Sequence, residues 1–335
     1  MNENVPMTAQ ELTIRSYLSP AAVTAFDDMY YWRALGAASN IRAIGSMYAD
    51  IAATAVKKGL DSSALIARVD EISRYFIEKR GASSHAIVTA IQIMTAGLHQ
   101  LDQAPAEETC AFLAQSYQTY ETRARGWMDK IREYGWNVLR PMEKILLFDY
   151  SSTVNAMMET ARAHGKTLDV YIPESRALDG GHQFLKNGVR LQHRMHYFPD
   201  AAIPRFVEKI DAAFIGAETF FPNGSLANTV GSDLTAIACQ YYKKPLYVPT
   251  SLIKLDPRGF FGCTKQESYE DARDYFGLQL EDSLREKVDL CMPGLITVPA
   301  ALISAFITEE GVVPPGAMYT LSRDFVRRME QEEHA

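Results

Sequence analysis

Three acidic residues stand at the ends of short apolar runs: Asp149 closes ILLFD, Glu174 follows LDVYIP, and Glu218 follows AAFIGA. Open α/β sheets bind ligands beyond the carboxyl ends of their strands, so a carboxylate there is a candidate for hydrogen bonding or proton transfer. Glu174 is followed by Ser175 and Arg176. The planar guanidinium of Arg176 can grip a phosphate through two parallel bonds, and the N-terminus of the next helix would add backbone donors. Glu218 opens the stretch GAETFFPNGSLANTVGSD, which supplies Asn223, Asn228 and several glycines. Glycines there permit tight turns and close backbone approach to a ligand. Asp149 leads through Tyr150, Ser151, Ser152 and Thr153 into a helical stretch, and taken alone it reads as a helix N-cap. Arg42 in NIRAIG and Arg80 in KRGASSHA are placed at the ends of helical segments beside small residues, although arginines in such positions are more often solvated or paired.

The elements that hold these groups can be read from periodicity. Between residues 8 and 140 apolar side chains recur at helical spacing, as in SMYADIAATAVKKG, SALIARVDEISRYFIEKR and CAFLAQSYQTYETRARGWMDKIREYG. This predicts a helical domain over residues 1–140. From Arg140 and Pro141 the texture changes to short apolar runs, ILLFD, LDVYI, VRLQH, AAFIG, PLYV and LITV, alternating with amphipathic stretches. Parallel strands need crossover helices, so 152–164, 179–187, 199–209 and 231–243 are expected to be helical. The expected fold class is α/β: an N-terminal helical domain followed by a Rossmann-like doubly wound parallel sheet domain over 141–335. Ligand loops then fall at Asp149–Thr153, Pro173–Arg176, Gly216–Asn228 and Pro249–Asp256. The charged tail RDFVRRMEQEEHA is expected to be a surface helix.

Bulk properties narrow the function. The chain has 335 residues, 47% hydrophobic and 22% charged, enough for one large core or two ordinary ones. Its net charge of −7 offers no general attraction to nucleic acid or anionic lipid, so a phosphate site requires a local cluster of cations. Cys110, Cys239, Cys263 and Cys291 fall in no metal or redox spacing, which fits a cytoplasmic protein. The N-terminal residues lack an export signal, and no run reaches the roughly 20 apolar residues of a membrane span. No complete Gly-x-Gly-x-x-Gly follows the first strand and no ligand cluster stands out, so neither a cofactor nor a metal is expected. His182, His193 and His196 lack metal-ligand spacing, and Trp32, Trp127 and Trp136 read as packing residues.

Several fragments, in order, carry a resemblance: ESR at 174–176, Asp200-Ala201 before a helix, GAE at 216–218, NG at 223–224, and N-x-x-G at 228–231. PLYV at 245–248, Lys254, Asp256 and ITEEGVVPP at 307–315 continue it. In the helical half RAIG at 42–45 and KRGASSHAI at 79–87 look similar to the arginine-bearing turns of the same proteins. Together they resemble the family that unites methylthioribose-1-phosphate isomerase, ribose-1,5-bisphosphate isomerase and the alpha, beta and delta subunits of translation initiation factor 2B.

The resemblance implies a phosphorylated sugar as ligand and a homodimer or higher homo-oligomer. It makes Arg42, Arg80, Arg176 and Lys254 phosphate ligands, with Ser175, Asn228 and Thr229 also lining the substrate site. Two departures stand out. The isomerases carry a proton-transferring Cys after the first strand and an Asp in Gly-Ala-Asp; Asp149 occupies the first place here and Glu218 the second. Their Asn-Lys is Asn228-Thr229, which removes a cation. The factor 2B alpha subunit also has Gly-Ala-Glu, and its Tyr-Ser matches Tyr150-Ser151. Two expectations follow. One is an aldose-ketose isomerase of a phosphorylated pentose-type sugar, with Asp149 and Glu218 moving the proton. The other is a catalytically silent sugar-phosphate-binding regulatory protein resembling the alpha subunit.

Overall fold

A computed structural model of the chain describes residues 7–31, 36–81, 84–177, 179–264, 268–271 and 287–333. The chain divides into two compact units, residues 1–126 with 325–335, and residues 127–324. Sequence texture put the boundary at 140, where the long helix spanning the division ends.

The described part of the first unit is helical. It comprises α1 (Ala9–Tyr17), α2 (Pro20–Tyr30), α3 (Ala37–Lys58), α4 (Ser62–Arg80), α5 (His85–Thr95) and the first part of α6 (Ala106–Leu139). Caps start these helices: Thr8 and Glu11 form a reciprocal capping box on α1, and the Asp61 carboxylate accepts from the Ala64 N–H on α4. The apolar stripes of α2 and α4 meet in an aromatic cluster, with the Phe26 ring 5.9 Å from both Tyr75 and Phe76. Fully burying rings of this size stabilises by about 1.5–3 kcal/mol each, which sets the helix faces more firmly than propensity does.

In the second unit, β1 (Lys144–Phe148), α7 (Ser152–Ala163), β2 (Asp169–Pro173), α8 (Gly180–Arg190), β3 (Arg194–Phe198), α9 (Ile203–Val207) and β4 (Ala212–Ile215) alternate. A hairpin of β5 (Thr219–Phe220) and β6 (Leu226–Thr229) precedes α10 (Ser232–Tyr241) and β7 (Leu246–Pro249). Then come β8 (Ser268–Asp271), β9 (Cys291–Val298), β10 (Ala305–Thr308), β11 (Gly311–Val313) and α11 (Met318–Glu333), which runs on into the first unit. The large sheet has the order β11-β10-β7-β4-β1-β2-β3, parallel except for β11. The chain winds outward from β1 in one direction and returns to continue from β4 in the other. The switch point therefore lies between β1 and β4, where ligand crevices form. Ile145 to Phe148 and Ala212 to Ile215 are buried throughout, as expected of strands covered on both faces.

Three sequence expectations are corrected here. VRLQH (189–193) is not a strand: it closes α8 and the turn after it, and Val189 is 62% exposed. Strand β3 begins at Arg194. LITV belongs to β9, which lies not in the parallel sheet but in a separate antiparallel one of order β5-β6-β9-β8. Finally, 216–228 is not one loop, because β5 and β6 pair within it at Thr219 with Ala227 and Phe220 with Leu226. The misplaced β9 and the hidden hairpin have one cause, that strand partners are chosen by the rest of the chain, whereas VRLQH has β-forming residues on an exposed helix end.

Candidate functional site

Asp149 is the first residue beyond β1 and adopts a left-handed backbone, φ 53°. Its carboxylate is buried, and both oxygens are taken. Ser175 Oγ donates to Oδ1 at 3.1 Å, and Thr229 Oγ1 donates to Oδ2 at 2.7 Å. The Tyr150 N–H also bonds to it. Asp149 is therefore not the N-cap of α7; Ser151 is, accepting from the Val154 N–H. The reason is geometric, since the left-handed turn at Asp149 directs its side chain across the sheet rim instead of along the helix. Gly180 makes room for it: a Cβ at 180 would lie 2.3 Å from Asp149 Oδ1 and 2.6 Å from the Tyr150 nitrogen.

The hydroxyl donors are themselves held. Ser175 is also left-handed, φ 51°, and the Asp200 carboxylate accepts from the N–H groups of Ser175 at 2.8 Å and Arg176 at 2.9 Å. Arg176 itself is exposed and lies 3.8 Å from Glu174. Burial pushes the Asp149 carboxyl upward, and the nearby Glu218 charge adds to this; the three hydrogen bonds act the other way.

Glu218, two residues beyond the buried Gly216 at the tip of β4, presents a different picture. It is half-buried, its backbone N–H joins the hairpin at Ala227, and its carboxylate makes no hydrogen bond among the described residues. A cation stands near it. Lys254, on a one-turn 3₁₀ helix (Leu252–Lys254) after β7, sends its ammonium to the Ala217 carbonyl at 2.7 Å. Burial draws the Lys254 amine downward and the Glu218 charge opposes that. Asn228 is buried and donates to Ser232 Oγ at 2.9 Å, tying β6 to the start of α10.

The structure thus brings together Asp149, Ser175 and Thr229, and places Glu218 beside Lys254. Arg42 and Arg80 belong to the first unit. Arg80 ends α4 as expected; it is 4% exposed and donates to the Met29 carbonyl, and burial pulls it down to about 10, with Tyr75 opposing. Arg42 lies in the second turn of α3 rather than at a helix end, exposed, with Nε 3.4 Å from the Tyr117 hydroxyl.

Sequence reading did not nominate Asp200 or Glu309 as site residues. Glu309 follows β10 directly, and the strand-end rule would have found it had AFIT been read as a strand. Two cavities of the second unit, ≈ 370 Å³ beside Lys243 and Ser304 and ≈ 400 Å³ beside Trp136 and His164, include none of these residues. Converging polar side chains at the switch point, rather than cavity volume, single out the candidate site. Among the described residues no group of three or more His, Cys, Asp or Glu could hold a metal ion, and no helix is long and apolar enough to cross a membrane.

The second unit is a doubly wound, Rossmann-like sheet with carboxylates on both sides of its switch point, the place where ligand crevices form in such sheets. The chain belongs to the initiation factor 2 subunit family, which it matches over residues 38–315. It is 27% identical over 190 residues to ribose 1,5-bisphosphate isomerase of Archaeoglobus fulgidus, covering 57% of this chain and 60% of that protein. It is 25% identical over 201 residues to the translation initiation factor eIF2B subunit alpha of Dictyostelium discoideum, covering 56% and 60%. The alignments therefore span about three-fifths of these relatives' lengths. The crystal structure of 5-methylthioribose 1-phosphate isomerase from Pyrococcus horikoshii OT3 matches with a TM-score of 0.72 at 16% identity, over 95% of this chain and 87% of that one. At that identity the likeness establishes the fold.

Proposed function

We propose that the chain is an aldose-ketose isomerase of a phosphorylated pentose-type sugar. The observation that carries this reading is the contrast across the switch point: Asp149 is buried, which raises its carboxyl, while nearby Glu218 makes no hydrogen bond through its carboxylate among the described residues. Two carboxyl groups held in unlike environments are what acid and base catalysis requires. Asp149 donates its proton to the ring oxygen of a sugar 1-phosphate and opens the ring. Glu218 takes the proton from C2, leaving a double bond between C1 and C2. Glu218, whose carboxyl proton exchanges with solvent, then protonates C1 while the C2 hydroxyl gives its own proton to Asp149, producing the ketose and restoring both groups. Lys254 and the exposed Arg176 bind phosphate in this reading, and Ser175, Thr229 and Asn228 hold the acid and the hairpin in place. Gripping the phosphate supplies binding energy that aligns C1 and C2 with the two carboxyl groups. The protein is read as a cytoplasmic homodimer or larger homo-oligomer, a state that light scattering of the purified chain measures.

One observation favours a second reading. Both oxygens of Asp149 accept from side-chain hydroxyls, so the carboxylate can serve as a strut joining the tips of β1, β2 and β6 in a silent sugar-phosphate-binding regulator. Incubating the protein with ribose, deoxyribose and methylthioribose phosphates in heavy water separates the two by proton NMR. Deuterium entering C1 or C2 is expected of the isomerase, while binding without exchange would establish the regulator. The same titration on R42A and R80K tests the phosphate role the family resemblance implies for those arginines.

A further inference from the structure

Glu309 is 4% exposed, and among the described residues it has no ion-pair partner. A buried carboxylate without a cation carries a desolvation penalty of several kcal/mol, so its presence calls for a reason. Its hydrogen bonds supply one. Ser251 Oγ donates to Oε1 at 3.0 Å, and the Leu252 N–H is shared between Oε1 at 3.1 Å and Oε2 at 3.2 Å. Leu252 opens the one-turn helix that ends at Lys254, and Ser251, its N-cap, makes no side-chain cap of its own. Glu309 therefore caps that turn from the neighbouring strand, because β7 and β10 are paired and the Thr250 N–H bonds to the Ile307 carbonyl. The far end of the segment is fixed too: the Asp256 N–H donates to the Phe220 carbonyl, and Leu255 bridges Phe220. Between these two anchors Lys254 reaches the Ala217 carbonyl, one residue before Glu218.

We propose that Glu309 is a positioning residue: it caps the turn at Ser251 and Leu252 and thereby holds the Lys254 ammonium beside Glu218. A glutamine would keep one acceptor oxygen but set an NH2 group against the Leu252 N–H, which now also bonds to Oε2, and the loss of negative charge would weaken the bonds that remain, so the cap would loosen. The inference rests on the site reading given above, yet half of its test needs no substrate.

In the ligand-free protein, acetic anhydride labelling of Lys254, measured by mass spectrometry against the exposed Lys144 of the same chain, is expected to rise about tenfold in Glu309→Gln as the turn opens. In a double-mutant cycle with Lys254→Met, Glu309→Gln is expected to lower deuterium exchange into sugar phosphate about tenfold alone and to have no added effect once Lys254 is gone. Unchanged Lys254 labelling, or losses that multiply independently, would overturn the proposal, since a merely structural residue would weaken both backgrounds alike. If Glu309→Gln does not fold, Ser251→Ala decides through the same labelling: a rise supports the cap and no change refutes it. Should the wild-type protein neither bind nor exchange any sugar phosphate, the functional reading fails while the labelling still tests the role of Glu309.

Discussion

The two sides of the switch point are built on opposite plans. At the β1 tip a carboxylate is buried, left-handed in its backbone and bonded at both oxygens. At the β4 tip a carboxylate is half-buried, free of hydrogen bonds among the described residues, and neighboured by a cation whose own placement depends on a third carboxylate. The first arrangement fixes geometry, and its burial favours the protonated form; the second leaves a carboxylate without hydrogen bonds. Equal environments would give two groups competing for one role, so the difference itself makes complementary chemistry possible.

The largest expected effect breaks the β4 side. Glu218→Gln removes the base and is expected to slow deuterium exchange by about 10²–10⁴-fold, with sugar-phosphate affinity retained; unchanged exchange would remove Glu218 from the chemistry. On the β1 side, Gly180→Ala puts a methyl group where Asp149 Oδ1 lies. Overpacking of this kind destabilises by about 1–3 kcal/mol, which denaturant unfolding measures, and exchange should fall because the acid is displaced. Thr229→Val deletes one hydroxyl from the carboxylate and is expected to lower stability at neutral pH by about 1–3 kcal/mol.

The smallest effect sharpens the comparison through pH. The folded-state value of Asp149 is raised, so its contribution to stability is fully present below the ordinary carboxylate value and is lost as pH rises through the raised one. Asp149→Asn cannot ionise, and the amide still meets the two hydroxyls. Its melting temperature relative to wild type is therefore expected to improve from acid to neutral pH. A constant difference across that range would mean that Asp149 is not strained by its charge.

Much of this was legible in the residues. The tips of β1, β2 and β4 were located by short apolar runs leading to Asp149, Glu174 and Glu218, α4 by its helical spacing, and α7, α8 and α10 by the crossover that parallel strands require. The strand after α8 was misplaced because VRLQH has β-forming composition but lies on an exposed helix end, and the hairpin inside 216–228 was hidden because its partner β9 lies far along the chain.

By itself, then, the sequence determined the helical and α/β halves and placed Asp149, Glu174 and Glu218 beyond strand ends, while it missed Glu309 after β10. Tertiary structure alone decided what those acids do. Ser175 and Thr229 come to Asp149 from 26 and 80 residues away, and Glu309 reaches the Lys254 turn from 57 residues away. Hydroxyls and backbone N–H groups leave no periodic trace in a chain, so only strand order and register could bring these donors to one carboxylate and leave the other open.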